Sequence, residues 1–511
     1  MRRKILIWGV VPALGVFAAL ATTGFLLLRP AHLRTMVQRG LAEHLNLDVE
    51  IGELELAFWP RPRVFGSHIA FRIPDRPGLP PIITVDHFFV DVGPMSALRK
   101  HVETLHLGGL RIVVPPPNAR GDLTGPNATE DSRSKIIIDR IETHDAELTF
   151  APKKAGDTPL LFAIHDLTIH DVGFGRSMPY EARLTNPIPR GLVEATGRVG
   201  PWNPSDPTST RLGGKYTFTD AKLETINGIG GILASTGTFE GQLTAINVTG
   251  TATVPDFSLD LGGKPVRLDA SFDTTVDGTD GTTTLRRVDA KMAATSMRVT
   301  GAIANLEGPG RHDVLLDVKI DDGRIEDILA LAIDSPRPIM TGDLTLATHM
   351  ALPPGKIRVR DRLQLAGTFG LGRTNFTSGQ VQAKLQELSR RSQGKDPDEA
   401  MGRVLTNLRG KFALRGGVLK LTNLTFQVPG ATVALDGTYL LADGAMDMSG
   451  ELRMQASVSK AIGGFKSIFI RPFDRLFRRN GSGSVVPIRI SGTREAPKFG
   501  VEMGRVFKKG K

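Results

Sequence analysis

Apolar and polar residues alternate with a period of two along much of the chain, most regularly over residues 410–454. Short alternating runs that end at Gly or Pro are typical of β-strands joined by tight turns. Turns are predicted at Gly416-Gly417, at Pro429-Gly430 and at Asp443-Gly444. Each strand would then have one apolar and one polar face, as in an antiparallel sheet. The apolar positions are Phe412, Leu414, Leu419, Leu421, Leu424, Phe426, Val428, Val433, Leu435, Tyr439, Met446, Met448, Leu452 and Met454.

A second pattern, apolar-x-x-apolar-x-apolar, recurs along the chain. Its one-residue phase shift would turn a regular strand over, and a β-bulge at the extra residue would restore the face. Chance is the alternative, because apolar residues are common in any β protein. We interpret the repetition as a repeated β-unit. The copies are Ile51/Leu54/Leu56, Val85/Phe88/Val90, Val102/Leu105/Leu107, Ile164/Leu167/Ile169, Leu285/Val288/Ala290 and Leu421/Leu424/Phe426.

The N-terminus carries a different pattern. Residues 5–28 contain no charged side chain and are numerous enough to span a bilayer as a helix. A signal peptide with a cleavage site at residues 19–21 is the alternative. The apolar run continues through residues 24–28 and favours an uncleaved anchor. Long domains translocate largely regardless of charge, so the body is expected outside the cytoplasm.

The remaining patterns divide the chain into consecutive regions. Residues 115–133 and 200–210 read as loops rich in turn-forming residues, and the second is a candidate boundary. The predicted regions are a cytoplasmic tail (1–4), a transmembrane helix (5–28), an amphipathic helix (29–48), an N-terminal β region (49–200), a middle β region (201–375) and a C-terminal region (376–511) with helices at 377–391 and 458–480. The helix at 377–391 is expected to cover part of the apolar surface.

Charge is concentrated at the ends of the chain. The net charge is +11, and residues 460–511 contain 13 Lys and Arg against 3 Asp and Glu. Basic ends on a near-neutral body favour contact with membranes. A helix that caps the sheet, with its charges solvated, is the alternative. The candidate membrane-contact residues are Lys460, Lys466, Arg471, Arg475, Arg478 and Arg479.

No pattern predicts an enzyme, a bound metal or a cofactor. The chain has no cysteine, which excludes disulfides and thiolate chemistry. His165 and His170 are five residues apart, which places them on opposite faces of a strand. Gly370-Leu371-Gly372 lacks the third glycine of a dinucleotide-binding loop. The basic tail has no aromatic platform for bases, so nucleic acid is not an expected partner.

Several segments together carry a resemblance to a known family. The apolar N-terminus and the strand at 49–58, the segments 237–241 and 254–257, and the C-terminal motifs at 416–424, 486–488 and 497–499 resemble AsmA-family proteins of Gram-negative bacteria. The resemblance implies a single-pass inner-membrane protein whose bulk lies in the periplasm as an elongated, curled β-sheet. It further implies a non-enzymatic role in outer-membrane lipid homeostasis as a conduit for phospholipids. Outer-membrane or other envelope proteins are further expected partners.

The fold class expected is mainly β: a single N-terminal transmembrane helix, then an elongated, curled antiparallel β-sheet groove with a few short helices. About 20 strands at a spacing of ~4.8 Å would extend ~95 Å. One-sided strands must bury their apolar face, and acyl chains could cover it. Two or three β-sandwich domains acting as a tethered scaffold or assembly factor explain the alternation equally well. The candidate lipid-binding residues are Leu54, Leu56, Phe88, Leu105, Leu167, Leu421, Leu424 and Phe426.

Overall fold

The alternating pattern produces a mainly β structure. A computed structural model describes residues 48–57, 63–72, 80–91, 101–114, 137–151, 159–173, 175–201, 209–226, 228–242, 244–277, 281–305, 312–355, 357–377, 379–393, 406–455, 484–493 and 496–501. The strands in these ranges form one sheet of 26 strands. The β part of the expected fold class is therefore confirmed.

The first half of the sheet covers the N-terminal β region and enters the middle one. Its strands are β1 (Asp48–Ile51), β2 (Leu54–Ala57), β3 (Arg63–Arg72), β4 (Ile83–Asp91), β5 (His101–Gly108), β6 (Arg111–Val114), β7 (Ile137–Phe150), β8 (Leu160–Val172), β9 (Met178–Pro187), β10 (Arg190–Val199), β11 (Arg211–Lys222), β12 (Ile229–Gly230) and β13 (Ile232–Gln242).

The second half continues to the C-terminal region. Its strands are β14 (Ala245–Leu259), β15 (Val266–Val276), β16 (Thr283–Met292), β17 (Thr295–Asn305), β18 (His312–Arg324), β19 (Met340–Leu352), β20 (Gln364–Phe376), β21 (Thr406–Arg415), β22 (Val418–Val428), β23 (Ala431–Leu440), β24 (Ala445–Met454), β25 (Ser484–Thr493) and β26 (Pro497–Val501). The helices in the described ranges are α1 (Ile325–Ala330), α2 (Val359–Arg362), α3 (Gly379–Ser392) and a 3₁₀ turn (Leu223–Thr225).

Neighbours in the chain are neighbours in the sheet, with one change of direction. From β7 onward the strands follow one another in antiparallel pairs, and the short β12 lies beside the end of β14. The strands β5 and β6 instead pair with β7 in parallel. The prediction of a purely antiparallel sheet is wrong at this junction. A parallel pair requires a long crossover connection, and residues 115–136, which include the loop expected from composition, connect β6 to β7.

Bulges occur at some of the repeated copies. The register of β22 against β23 shifts between Leu421 and Leu424, where Asn423 has φ 54°. The register of β16 against β17 shifts between Leu285 and Val288. Both bulges keep apolar side chains on one face, as the phase shift predicts. In β4 the pairing with β3 keeps one register past the predicted bulge, and the irregularity lies on β3, at His68 with φ 47°.

The sheet runs across the domain limits expected from composition. Strands β10 and β11 flank residues 200–210 and pair directly, and β20 pairs with β21 across residues 377–405. Among the described strands there is no second sheet, which the β-sandwich alternative requires. The apolar face is therefore not closed by a facing sheet within this part of the chain.

Buried side chains form one large cluster toward the N-terminus and smaller clusters where α1 and α3 pack on the sheet. The largest cluster joins β1–β11 and includes Val64, Phe71 and Phe88. Near the C-terminus, Leu385 and Leu388 of α3 pack against Val428 and the neighbouring strands. The helix expected at 377–391 is thus confirmed, and it covers the apolar face at this end.

Several sequence predictions lie outside the described residues. They are the transmembrane helix at 5–28, the cytoplasmic tail at 1–4, nearly all of the amphipathic segment 29–48 and the helix at 458–480 with its basic side chains. Among the helices that the structure does describe, none has the length and apolar character needed to cross a membrane.

Candidate apolar groove

One row of directly paired residues runs across the whole sheet without a charged side chain. Residues that pair across neighbouring strands project from the same face of a sheet. This first row reads Leu54, Gly66, Phe88, Leu107, Thr143, Leu167, Ala182, Ala195, Tyr216, Gly237, Gly250, Phe272, Val288, Val299, Val318, Thr348, Gly367, Phe412, Leu421, Gly437, Met448, Ile490 and Phe499.

A second row lies two residues away on the same face and is also free of charge. It reads Leu56, Val64, Val90, Leu105, Ile141, Ile169, Tyr180, Gly197, Gly214, Phe239, Val248, Thr274, Leu285, Gly301, Leu316, Met350, Leu365, Leu414, Leu419, Tyr439, Met446, Gly492 and Pro497. We call the face that carries both rows the apolar face.

The opposite face has the reverse character. One of its rows reads His144, Asp166, Arg183, Glu194, Thr217, Thr236, Thr251, Ser271, Asp289, Arg298, Lys319, Ala347, Thr368, Lys411 and Thr422. Only Ala347 in this row lacks a polar side chain. The sheet is therefore one-sided, with water on the polar face.

The predicted lipid-binding residues fall on this one apolar face. Four of them belong to the first row (Leu54, Phe88, Leu167 and Leu421), and Leu56 and Leu105 occupy second-row positions. The bulge at Asn423 keeps Leu424 and Phe426 on the same face, where they pair with Leu435 and Val433. The register of the strands therefore gives these positions a common face. Lipid contact stays a prediction.

The exposure of the apolar face changes along the sheet. Toward the N-terminus the face is closed, since Phe88 is 1% exposed and Val64 and Leu105 are fully buried. In the middle, Phe272 and Val318 are half-buried, as are the other large side chains of both rows from β13 to β19. Near α3 it closes again, and Leu424 is 8% exposed. The open part is therefore central, beside the place where Ile325 and Ile328 of α1 pack with the buried Ile320. Sequence analysis named none of its residues as lipid-binding, because these strands alternate with Thr and Gly.

Glycines and aromatic rings form the floor of this open part. Phe272 Cζ lies 3.0 Å from the site a Cβ on Gly250 would occupy, and Tyr216 Cε1 lies 2.9 Å from the site on Gly237. Each ring thus lies over a glycine of the next strand. A Cβ at Gly237 would also clash with the carbonyl oxygen of Thr249. Glycine at such positions permits the close backbone approach of a strongly bent sheet.

The bend brings the two long edges of the sheet together. Because antiparallel strands alternate in direction, the β11–β13 connection and the β19–β20 connection lie on opposite edges. Val359 Cγ2 nevertheless fills the space that a side chain on Gly228 would occupy. The two edges therefore touch at this point, and we call the apolar face between them the groove.

The polar atoms on the apolar face are few and neutral. All three tyrosines of the chain lie in its two rows. Burial raises the pKa of Tyr180 to about 12. Burial also raises the pKa of Tyr216, and the hydrogen bond between Tyr216 and Ser235 acts in the opposite direction. The hydroxyl oxygens of these two residues lie 3.2 Å apart. Both phenols stay protonated at neutral pH.

The charges of the polar face pair with one another. Arg373 donates to both Asp343 oxygens at 2.8 and 3.1 Å, and Arg489 donates to both Asp447 oxygens at 2.8 Å. These bonds hold the pKa values of the two aspartates below their usual range. Neither pair forms a catalytic arrangement.

The described ranges offer no alternative catalytic or metal centre. A depression of about 580 Å³ lies on the polar face around Asp289, Arg298 and Lys319. These three residues are in ion pairs, with 3.3 Å between Arg298 Nε and Asp289 Oδ1 and 2.9 Å between Lys319 Nζ and Asp321 Oδ1. His165 Nε2 lies 2.8 Å from Thr185 Oγ1, and no described group of three or more potential ligands could hold a metal ion.

The chain was compared with known families, proteins and structures. The chain matches no family model, no curated protein and no solved structure. The resemblance to AsmA proteins therefore stays a prediction. The candidate membrane-contact residues near the C-terminus, from Lys460 to Arg479, lie outside the described ranges.

Proposed function

We propose that this chain binds phospholipids by their acyl chains along the apolar face and conducts them along it, without catalysing a reaction. The observation that carries the proposal is the pair of uncharged rows, which continue across the sheet while their middle part stays half-buried. An apolar surface of this length requires a cover. No facing sheet covers it among the described strands.

The dimensions and chemistry of the face suit an aliphatic ligand. Acyl chains need no hydrogen bonds, and the groove presents only neutral side chains to them. Headgroups can stay in water at the open side, so that no charge needs to be buried. We further propose, on the sequence resemblance, that the chain is anchored in a bacterial inner membrane with its bulk in the periplasm. Transfer would then run toward the outer membrane.

The test compares two variants of one strand, with a negative charge on the apolar face in one and on the polar face in the other. Phe272 lies half-buried on the apolar face and Ser271, its neighbour in β15, lies exposed on the polar face. In Phe272→Glu the carboxylate can reach water when the groove is empty but opposes an acyl chain. We expect a folded protein that has lost most of its co-purified phospholipid, measured by mass spectrometry after mild detergent extraction.

Ser271→Glu is the matched control and should keep the phospholipid of the unmodified chain. Thermal melting and protease resistance establish that both variants fold. A folded Phe272→Glu variant with unchanged lipid content would contradict the proposal. So would an unmodified chain that carries no lipid.

The tethered scaffold is the second candidate function. One observation favours it: at its N-terminal end the apolar face packs as a conventional core, with Phe71 and Phe88 buried. A scaffold would need no lipid, and Phe272→Glu would leave its partner binding intact.

A further inference from the structure

Four exposed isoleucines lie around the contact between the two edges of the sheet. Ile188, Ile226, Ile232 and Ile357 are 41%, 37%, 47% and 64% exposed. Exposure of isoleucine side chains to water at turns and strand ends does not stabilise the fold. Apolar side chains grouped at one place on a surface mark an interaction site.

Hydrogen bonds and contacts bring these side chains to one place. The N–H of Arg190 donates to Thr225 Oγ1 at 3.2 Å, which joins the turn of Ile188 to the 3₁₀ turn before Ile226. Ile232 begins the next strand and pairs with Lys222. Ile357 comes two residues before Val359, which contacts Gly228 on the other edge. We call residues 188–190, 222–226, 228–232 and 357–362 the isoleucine patch.

The patch carries more basic than acidic side chains. Its basic residues are Arg190, Lys222, Arg358, Arg360 and Arg362, and its acidic residues are Glu224 and Asp361. Both acids have partners, since Glu224 Oε1 accepts from the N–H of Gly231 at 3.3 Å and Asp361 Oδ1 lies 3.5 Å from Arg360 Nε.

Two further acids, Asp256 and Asp260, border the patch. Asp256 Oδ1 accepts from the N–H of Ile232 at 2.9 Å, and Asp260 donates its own N–H to the carbonyl of Gly228. Arg190, Lys222 and Arg358 stay exposed. Exposed apolar side chains among exposed basic side chains suit binding to the surface of an anionic bilayer. The basic side chains would contact the headgroups, and the isoleucines would contact the acyl chains.

The position of the patch in the groove fits a loading site. The apolar face is closed at β7, where Ile141 is buried, and half-buried row residues begin at β8 and β9, with Leu167 and Tyr180. The patch lies at the strand ends where this opening begins. A lipid that entered lengthwise past Phe88 would have to displace a packed core.

We propose that the isoleucine patch docks on anionic phospholipid bilayers and that lipids pass there between the bilayer and the groove. The docking stands on the patch alone, whereas the loading rests on the proposed function. A bilayer is favoured over a second copy of the chain because of the exposed bases, which would repel the same bases on another copy.

The absence of cysteine permits a local test in the full chain. Ile226→Cys and Ile357→Cys are each labelled with an environment-sensitive fluorophore, in protein held in phosphatidylcholine nanodiscs. Vesicles of equimolar phosphatidylglycerol and phosphatidylcholine are then added. Phe65→Cys and Ser271→Cys serve as controls, because both side chains are exposed at strand positions away from the patch.

We expect a blue shift at positions 226 and 357 and none at 65 and 271. The combined Arg190→Gln and Arg358→Gln substitutions should raise the vesicle concentration for half the shift about 25-fold, since each base contributes about fivefold near an anionic surface. Added salt should act in the same direction.

Three results would overturn the docking. They are no shift at positions 226 and 357, an equal shift at the control positions, and a shift that appears without vesicles as the protein concentration rises. The last would assign the patch to a second copy of the chain. Lipid content is measured separately, with Phe272→Glu. A failed docking experiment therefore does not contradict the groove proposal. A groove without lipid likewise does not change the interpretation of the fluorescence shifts.

Discussion

At the scale of single residues, the groove depends on glycines, whose lack of a side chain lets neighbouring strands and rings approach closely. Gly237 and Gly250 face each other across β13 and β14, and the rings of Tyr216 and Phe272 lie over them. Sequence analysis gave these two glycines no structural role, because glycine is more often a turn signal. In a strand, glycine instead marks a close approach of backbones. Only the paired register reveals which meaning applies.

Gly237→Ala should therefore destabilise the protein. The added methyl group would clash with the carbonyl oxygen of Thr249. Overpacking of this kind costs about 1–3 kcal/mol. Gly372→Ala is the control, since its nearest neighbour would lie 3.4 Å away, an ordinary contact distance. Urea denaturation measures both, and equal midpoints would contradict the account of the groove floor.

At the scale of elements, the sequence predicted the strands well and their closure poorly. The alternation around Leu419 and Val433 predicts β22 and β23, and the phase shift predicts the bulge at Asn423. The pattern cannot tell a dry core from an open trough, because both need one apolar face. Thus Phe88 and Leu424, expected beside lipid, lie in packed clusters instead.

Substitution by alanine should reveal this difference between elements. Phe88→Ala removes a fully buried ring in β4 and should lower the free energy of unfolding by about 3–5 kcal/mol. Phe272→Ala in the half-buried middle should cost clearly less, because its ring already contacts solvent or ligand. Chemical denaturation of the lipid-free protein compares the two. Equal losses would show that the middle of the sheet is as dry as its N-terminal end.

At the scale of the whole molecule, one continuous register creates the function that we propose. No single strand of the described sheet offers more than a few apolar side chains. The rows stay on one face because every hairpin and bulge keeps the register from Leu54 to Phe499, and the open part of that face lies between its packed ends. The change of direction at β7 preserves the common face, since Thr143 pairs with Leu107 on one side and with Leu167 on the other.

Photo-crosslinking along β18 tests lipid binding to this face most directly. A photoreactive amino acid is placed at each position from 315 to 319 of the full chain, and the attached lipids are identified by mass spectrometry. Leu316 and Val318 pair within the two apolar rows, whereas Asp317 and Lys319 lie on the polar face. Leu315 is the strictest control, because it is apolar and 51% exposed but projects from the polar face.

We expect phospholipid adducts at positions 316 and 318 and none at 315, 317 and 319. The period of two would follow the apolar face and not exposure or hydrophobicity alone. Adducts at all five positions, or an absence of adducts at positions 316 and 318, would contradict the claim that this face binds lipid.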